Sequence, residues 1–237
     1  GATRPPFPRT YARFENGKAT EHATTFEDMF ETCRKLVETR HGALGQRLNI
    51  ALITPTLRAE HEASLSASDL ADARAQGRRM SDFAKEAGLV FTQDGHTRGS
   101  VAYANALGVL GPHALLSHST ALTDEEIAMV ADTGTNIVHN PSAVASILAR
   151  CPVTELLEAG ANVCLGSDAT APDRSGDMFR HMQQCMHYHR TFHHDPSWLP
   201  PGRVLEMCTV DAARALGMSK EIGSLEIGKK ADVVLLD

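Results

Sequence analysis

The sequence predicts an α/β protein in which parallel strands are covered by helices on both faces. Five short apolar runs alternate with segments whose apolar residues recur at helical spacing. Each run is continuously apolar, which is typical of strands buried on both faces. Such units fit either an open doubly wound sheet or a (β/α) barrel. No run is followed by a glycine-rich phosphate loop, which disfavours nucleotide binding and favours the barrel.

Helix-capping residues, apolar periodicity and glycines predict where the individual helices and strands begin and end. Residues 1–22 show no clear period and are predicted to be a loop. Thr25 with Asp28, and Thr123 with Glu126, predict helix N-termini of the capping-box type. The predicted strands lie at 48–53, 89–92, 114–117, 136–138 and 161–165. The predicted helices lie at 26–41, 66–87, 99–107, 124–133, 153–159, 177–189 and 203–216.

Composition argues for a globular protein that binds neither nucleic acid nor membrane. The formal charge is −6 over 237 residues, and no Lys/Arg stripe offsets the acidic residues. No apolar run approaches the roughly 18 residues that cross a bilayer. The cysteines number five, are scattered and contain no C-x-x-C pair, so reduced thiols in a cytoplasmic protein are expected.

Two of the predicted strands are each followed by a polar residue that could take part in catalysis. Asp168 follows the apolar run at 161–165, and His118 follows the run at 114–117. Strands that present His and Asp at a common rim are typical of metal-hydrolase sites in parallel barrels. By spacing alone, Asp168 fits a turn-forming aspartate equally well, and His118 fits a buried core histidine.

Five motifs carry a resemblance to a known family, and they are Leu115–Ile127, His139–Ser142, Leu165–Ala169, Asp211–Gly217 and Gly223–Leu236. In this order along the chain they resemble motifs of the amidohydrolase superfamily. The likeness is strongest to its cytosine/guanine deaminase and triazine hydrolase branch, and it covers residues 88–237 well and the earlier part more loosely. The resemblance implies a (β/α)8 TIM barrel, represented here by its later strands and helices. Residues 1–217 would form this partial barrel, and residues 218–237 would begin a small β-structured domain.

The resemblance also implies a cofactor and residue roles. The family holds a divalent metal ion, zinc or iron, that activates a water molecule. Asp168 would bind the metal and take the proton of the water, and His118 would orient the water or polarise the bond under attack. Gln93, His139 and Asn140 are predicted to contact a small heterocyclic substrate, although Asn140 equally fits a turn cap. Barrels of this kind often pair, so a homo-oligomer is compatible with the resemblance.

The sequence departs from the family pattern at two strands. At the fifth strand His96 is available as a metal ligand, but Gly99 stands where the family places a glutamate. Either His96 binds the metal without that acidic partner, or the strand ends at Gln93-Asp94 and the site is rebuilt; His96 is favoured.

No His-x-His strand, the usual source of two further ligands, precedes the matched region. The His-x-His at 187–189 lies on a predicted helix, where side chains two residues apart point about 200° apart and cannot share one ion. The chain is therefore interpreted as an internal piece of a longer protein.

These observations predict a metal-dependent hydrolase that attacks a ring carbon of a purine, pterin, pyrimidine or triazine. Deamination, the hydrolysis of a C–N bond, is the favoured reaction. Two alternatives are open. One is a catalytically inactive barrel that serves as a scaffold or binding protein, and the other is a hydrolytic dechlorinase or amidase of the same superfamily.

Overall fold

The structure, a computed structural model, describes residues 9–143, 149–169 and 175–235. Its strands are β1 (Thr10–Glu15), β2 (Lys18–Ala23), β3 (Ala51–Thr54), β4 (Val90–Gln93), β5 (Ala114–Ser117), β6 (Asn136–His139) and β7 (Asn162–Leu165). Its helices are α1 (Phe26–Arg40), α2 (Ala43–Gln46), α3 (Ala59–Ser64), α4 (Ala67–Glu86), α5 (Ser100–Leu107), α6 (Asp124–Thr133), α7 (Val153–Glu158), α8 (Met178–His193), α9 (Pro201–Cys208) and α10 (Val210–Ala215).

Strands β3 to β7 form one sheet in the order in which they occur along the chain. All four pairings between neighbours are parallel, and helices connect successive strands. In a doubly wound sheet the strand order reverses at a switch point, whereas in a barrel it advances in one direction. The sheet therefore confirms the predicted later strands of a (β/α) barrel.

The predicted loop at the start of the chain is wrong for the residues that the structure describes there. Strands β1 and β2 pair antiparallel, with Glu15 opposite Lys18. Asn16 and Gly17 connect them with φ values of 51° and 76°. An Asn-Gly pair is a strong hairpin signal because both residues adopt positive φ readily. The strand residues themselves give no strand signal, because they are almost all exposed and show no apolar alternation.

The predicted helix at 203–216 is also wrong, because two helices occupy this segment. α9 ends at Cys208 and α10 begins at Val210, and Thr209 between them has φ −121° and ψ −90°, outside the helical region. Residues 218–235 contain no strand in the described part of the chain. The start of a small β-structured domain there stays a prediction.

A buried carboxylate joins two helices to each other. Glu126 of α6 is 2% exposed, and its Oε1 accepts hydrogen bonds from the backbone N–H groups of Val101 and Ala102 at 2.9 and 3.2 Å. Its Oε2 accepts from the N–H of Thr123 at 3.2 Å, which completes the predicted capping box. Glu126 thus satisfies unpaired N–H groups in the first turns of α5 and α6.

The core consists of two clusters of buried apolar side chains, and the strand residues of both clusters lie on the same face of the sheet. Phe91, Leu116 and Ile137 come from three adjacent strands, and each is 0% exposed. No helix in the described part of the chain is long and apolar enough to cross a membrane.

Candidate active site

The candidate site lies at the carboxyl edge of the five-stranded sheet. Because the strands are parallel, the residues that follow them meet at the same edge. The strands end at Thr54, Gln93, Ser117, His139 and Leu165. The polar residues that follow are Asp94, His96, His118, Asn140 and Asp168.

His118 lies between two carboxylates. Its Nε2 is 3.3 Å from Oδ1 of Asp94 and 3.8 Å from Oδ2 of Asp168. Its Nδ1 is 3.5 Å from the amide nitrogen of Asn140, and only 9% of the side chain is exposed. The structure therefore brings His118 and Asp168, both predicted to be catalytic, to one place.

The backbone at both residues adopts a rare conformation. His118 has φ 67° and Asp168 has φ 60°, in the left-handed region that residues other than glycine seldom occupy. The N–H of His118 donates to the carbonyl of Val138 at 3.1 Å, so β6 holds this turn. Such strain persists only where the surrounding structure enforces it, and it concentrates at functional sites.

Asp94 is a site residue that the sequence indicated only as part of an alternative strand end. Hydrogen bonding to His118 is the largest of the effects that lower the pKa of Asp94 to about 2. The side chain is 45% exposed and is ionised at neutral pH. The signal available in the sequence was its position directly after β4, which ends at Gln93 as that alternative proposed.

His96 is buried beside the loop that carries His118. Its N–H donates to the carbonyl of Ser117 at 3.2 Å, and its carbonyl accepts from the N–H of Thr120 at 2.9 Å. Its Nδ1 lies 2.9 Å from the hydroxyl of Ser100, and its Nε2 is buried without a hydrogen-bond partner in the described structure. Burial lowers the pKa of His96 to about 3, so the ring is neutral at neutral pH.

The three residues predicted to contact substrate are all buried. Gln93 is 2% exposed, and its amide donates to Thr54 Oγ1 at 3.1 Å and to the carbonyl of Pro55 at 3.2 Å. Its Oε1 is buried without a partner in the described structure. Asn140 donates to the hydroxyl of Ser117 at 3.1 Å. His139 is 0% exposed and faces α8. Their contact with a substrate stays a prediction.

Three potential metal-binding atoms come together elsewhere in the described structure. His139, Cys185 and His189 each place one ligand atom within 4.8 Å of the others. His187 and His189 lie on a helix, as predicted, and the same helix carries Cys185 four residues before His189, which was not predicted as a ligand. The i, i+4 spacing of Cys and His was the signal that could have found this group.

The absence of a side chain at Gly166 allows the backbone to pack closely against Asn140. A Cβ at this position would lie 2.4 Å from Oδ1 of Asn140 and 3.0 Å from Cγ2 of Val138. The N–H of Gly166 donates to the carbonyl of His139 at 2.9 Å, which fixes the backbone there. Only glycine fits between β7 and the residues that hold His118.

We expect Gly166→Ala to lower the free energy of unfolding by about 1–3 kcal/mol, the usual range for overpacking. Asn140 must move to make room, so activity should fall as well. Gly77→Ala in α4 is the matched control because nothing lies within 4 Å of its added Cβ. It should stabilise the protein by up to about 1 kcal/mol. Urea unfolding of the intact protein measures both, and equal stability of Gly166→Ala and the wild type would contradict the expectation.

Residues 82–237 match the family model described as Amidohydrolase family. The match covers more than half of the chain, and the chain belongs to this family. This confirms the resemblance drawn from the motifs, and the parallel sheet confirms the barrel that it implied.

Two curated relatives illustrate the likeness. A 5-methylthioadenosine/S-adenosylhomocysteine deaminase of Syntrophobacter fumaroxidans is 39% identical over 141 residues, which are 59% of this chain and 32% of the relative. A 5'-deoxyadenosine deaminase of Methanosarcina mazei is 35% identical over 153 residues, 64% of this chain and 35% of the relative. The matched region thus spans about a third of the length of these relatives.

Solved structures share the fold at lower identity. An adenosine deaminase from Xanthomonas campestris with bound zinc has a TM-score of 0.73 and 23% identity, covering 89% of this chain and 48% of that one. An atrazine chlorohydrolase from Arthrobacter aurescens, complexed with zinc, has a TM-score of 0.71 and 20% identity, covering 87% and 46%.

Proposed function

We propose that the protein is a metal-dependent hydrolase that deaminates a nitrogen heterocycle. The observation that carries the proposal is His118 between Asp94 and Asp168 at the carboxyl edge of a sheet of this family. Among the heterocycles predicted from the sequence, the names of the curated relatives favour a purine in the form of a 5'-substituted adenosine. Ammonia would be the leaving group.

We propose that His96 and Asp168 would hold a divalent metal, on the chemistry of their side chains. His96 offers a neutral imidazole whose buried Nε2 has no partner in the described structure, and Ser100 holds its other nitrogen. Asp168 offers a carboxylate at the same edge. His96 and Asp168 are therefore the two ligands that this chain would supply to a zinc or iron ion. When bound, the ion supplies Lewis-acid activation of water and of the bond to be cleaved.

The hydrogen bonds of His118 define its proposed part in catalysis. If the amide of Asn140 donates to Nδ1, then Nε2 carries the proton and donates toward Asp94. Asp94 would thus keep the His118 ring in one tautomer and orientation. Asp168, which faces the same Nε2, would accept the proton of the attacking water and pass it to the leaving nitrogen.

Asp94 does not replace the glutamate that the family places on the fifth strand. Its pKa of about 2 keeps it ionised, so it is suited to orient His118 and not to donate a proton at neutral pH. In this proposal Asp168 and His118 carry out the proton transfer without a further acidic residue. Gln93 and Asn140 remain the proposed contacts to the substrate, whereas His139 is buried and faces α8, so we no longer propose it as a contact.

The proposal extends to the location of the protein, the identity of its metal and its oligomeric state. The five cysteines are all unpaired, which supports the reducing cytoplasm as its location. Zinc is the metal present in both solved structures described above. We also propose that the protein forms a homo-oligomer, on the basis of the family resemblance.

The proposal is tested on the intact protein by metal analysis together with ammonia release. The substrates should include adenosine, 5'-methylthioadenosine, 5'-deoxyadenosine, cytosine, a pterin and a chlorotriazine, with chloride release followed for the last. We expect zinc or iron to be bound and ammonia to be released from an adenosine derivative. Chloride release alone would identify a dechlorinase. A protein that binds metal but releases nothing, or that binds no metal after supplementation, would overturn the proposal in favour of a scaffold.

A further inference from the structure

A second cluster of metal-compatible side chains lies behind the end of β6. His139 ends that strand, and Cys185 and His189 lie on α8. Residues four apart on a helix share one face, so the thiol and the imidazole of α8 both point toward the strand. Their ligand atoms and that of His139 all lie within 4.8 Å of one another.

The two histidines have unused hydrogen-bonding capacity. Both are 0% exposed, and neither ring nitrogen of either residue has a hydrogen-bond partner in the described structure. The rings meet edge to face with centroids 5.5 Å apart. Buried polar atoms in native proteins almost always have partners because an unpaired one costs free energy. One unpaired nitrogen of each ring faces the thiol of Cys185, and this unused capacity indicates that a ligand belongs there.

The donor set selects the class of ligand. Two imidazoles and one thiolate are the ligands that zinc and related borderline or soft ions prefer, whereas magnesium and calcium require oxygen. Tetrahedral zinc with ordinary bond lengths places ligand atoms about 3.3–3.6 Å apart. Small side-chain rotations would bring atoms now within 4.8 Å to that spacing.

We infer that His139, Cys185 and His189 bind a second metal ion, of the zinc class, separate from the one proposed at His96 and Asp168. This ion would fasten α8 to the end of β6. The next residue along the chain is Asn140, which contacts His118, so the second ion would also steady the candidate active site. The inference does not depend on the proposed hydrolase activity, since its ligands and its test are different.

Cobalt substitution tests the site because it distinguishes sulfur ligands from nitrogen and oxygen ligands. The intact protein is stripped of metal with a chelator and titrated with Co²⁺ alone. We expect a thiolate-to-cobalt charge-transfer band in the near ultraviolet, which His96 and Asp168 cannot produce because neither carries sulfur. Cys185→Ala should abolish the band and lower the bound metal by one equivalent.

Matched variants make the result specific. Cys164→Ala removes another buried thiol, which belongs to β7, and should leave the band and the stoichiometry unchanged. His189→Gln keeps the thiol and should weaken binding at least about tenfold, which covers the case in which Cys185→Ala does not fold. Absence of the band in the wild type, or its persistence in Cys185→Ala, would overturn the inference. Neither result would bear on deamination, which ammonia release measures separately.

Discussion

Asp168→Asn is expected to lower kcat/KM of the intact protein by about 10²–10⁴-fold, the range typical of a lost general acid or base. Asparagine keeps the size of the side chain but accepts no proton and is a poorer metal ligand. The loss should appear mainly in kcat, because the proton is transferred in the transition state. The fold should be preserved, since the side chain is 27% exposed and lies outside the core.

Asp132→Asn is the control for this substitution. Asp132 lies on the exposed face of α6 and loses the same charge without touching the site. Steady-state kinetics and metal content should be measured on both variants. If Asp168→Asn stays within about threefold of the wild type, Asp168 has no part in proton transfer. If activity and metal are lost together and both return on adding excess metal, Asp168 is a ligand only.

Most of the sheet could be predicted because its signals are local. A strand buried on both faces is recognisable as a continuous apolar run. The start of a capped helix is recognisable from its capping residues, as at Thr123 and Glu126. The carboxyl ends of such strands then locate a site without knowledge of any contact. His118 and Asp168 were found in this way, although they lie 50 residues apart in the sequence.

The parts that escaped prediction depend on contacts distant in sequence or carry no apolar pattern. The role of Asp94 follows from its contact with His118, which no local pattern encodes. The group of His139, Cys185 and His189 requires α8 to cross behind β6, and periodicity does not fix that packing. The break at Thr209 has neither proline nor glycine at the position to announce it. The hairpin of β1 and β2 is exposed on both faces and therefore has no alternation to detect.

Phe91→Ala is expected to lower the free energy of unfolding by about 3–5 kcal/mol, which would be the largest effect on stability of the variants considered. Phe91 is 0% exposed and belongs to the core cluster that includes Leu52 of β3. Its ring centroid lies 6.2 Å from that of His113. Because protein interiors are close-packed, removing the ring leaves a cavity that its neighbours can fill only in part.

The same substitution connects the core with the site, because Phe91 and Gln93 lie on the same face of β4, which leads directly into Asp94 and His96. Activity should therefore fall along with stability. Phe179→Ala on α8 is the control, since that ring is 51% exposed and its loss should change stability by no more than about 0.5 kcal/mol. Urea unfolding of the intact protein compares the two midpoints at an unchanged m-value. Equal midpoints would mean that β4 does not anchor the edge on which the candidate site is built.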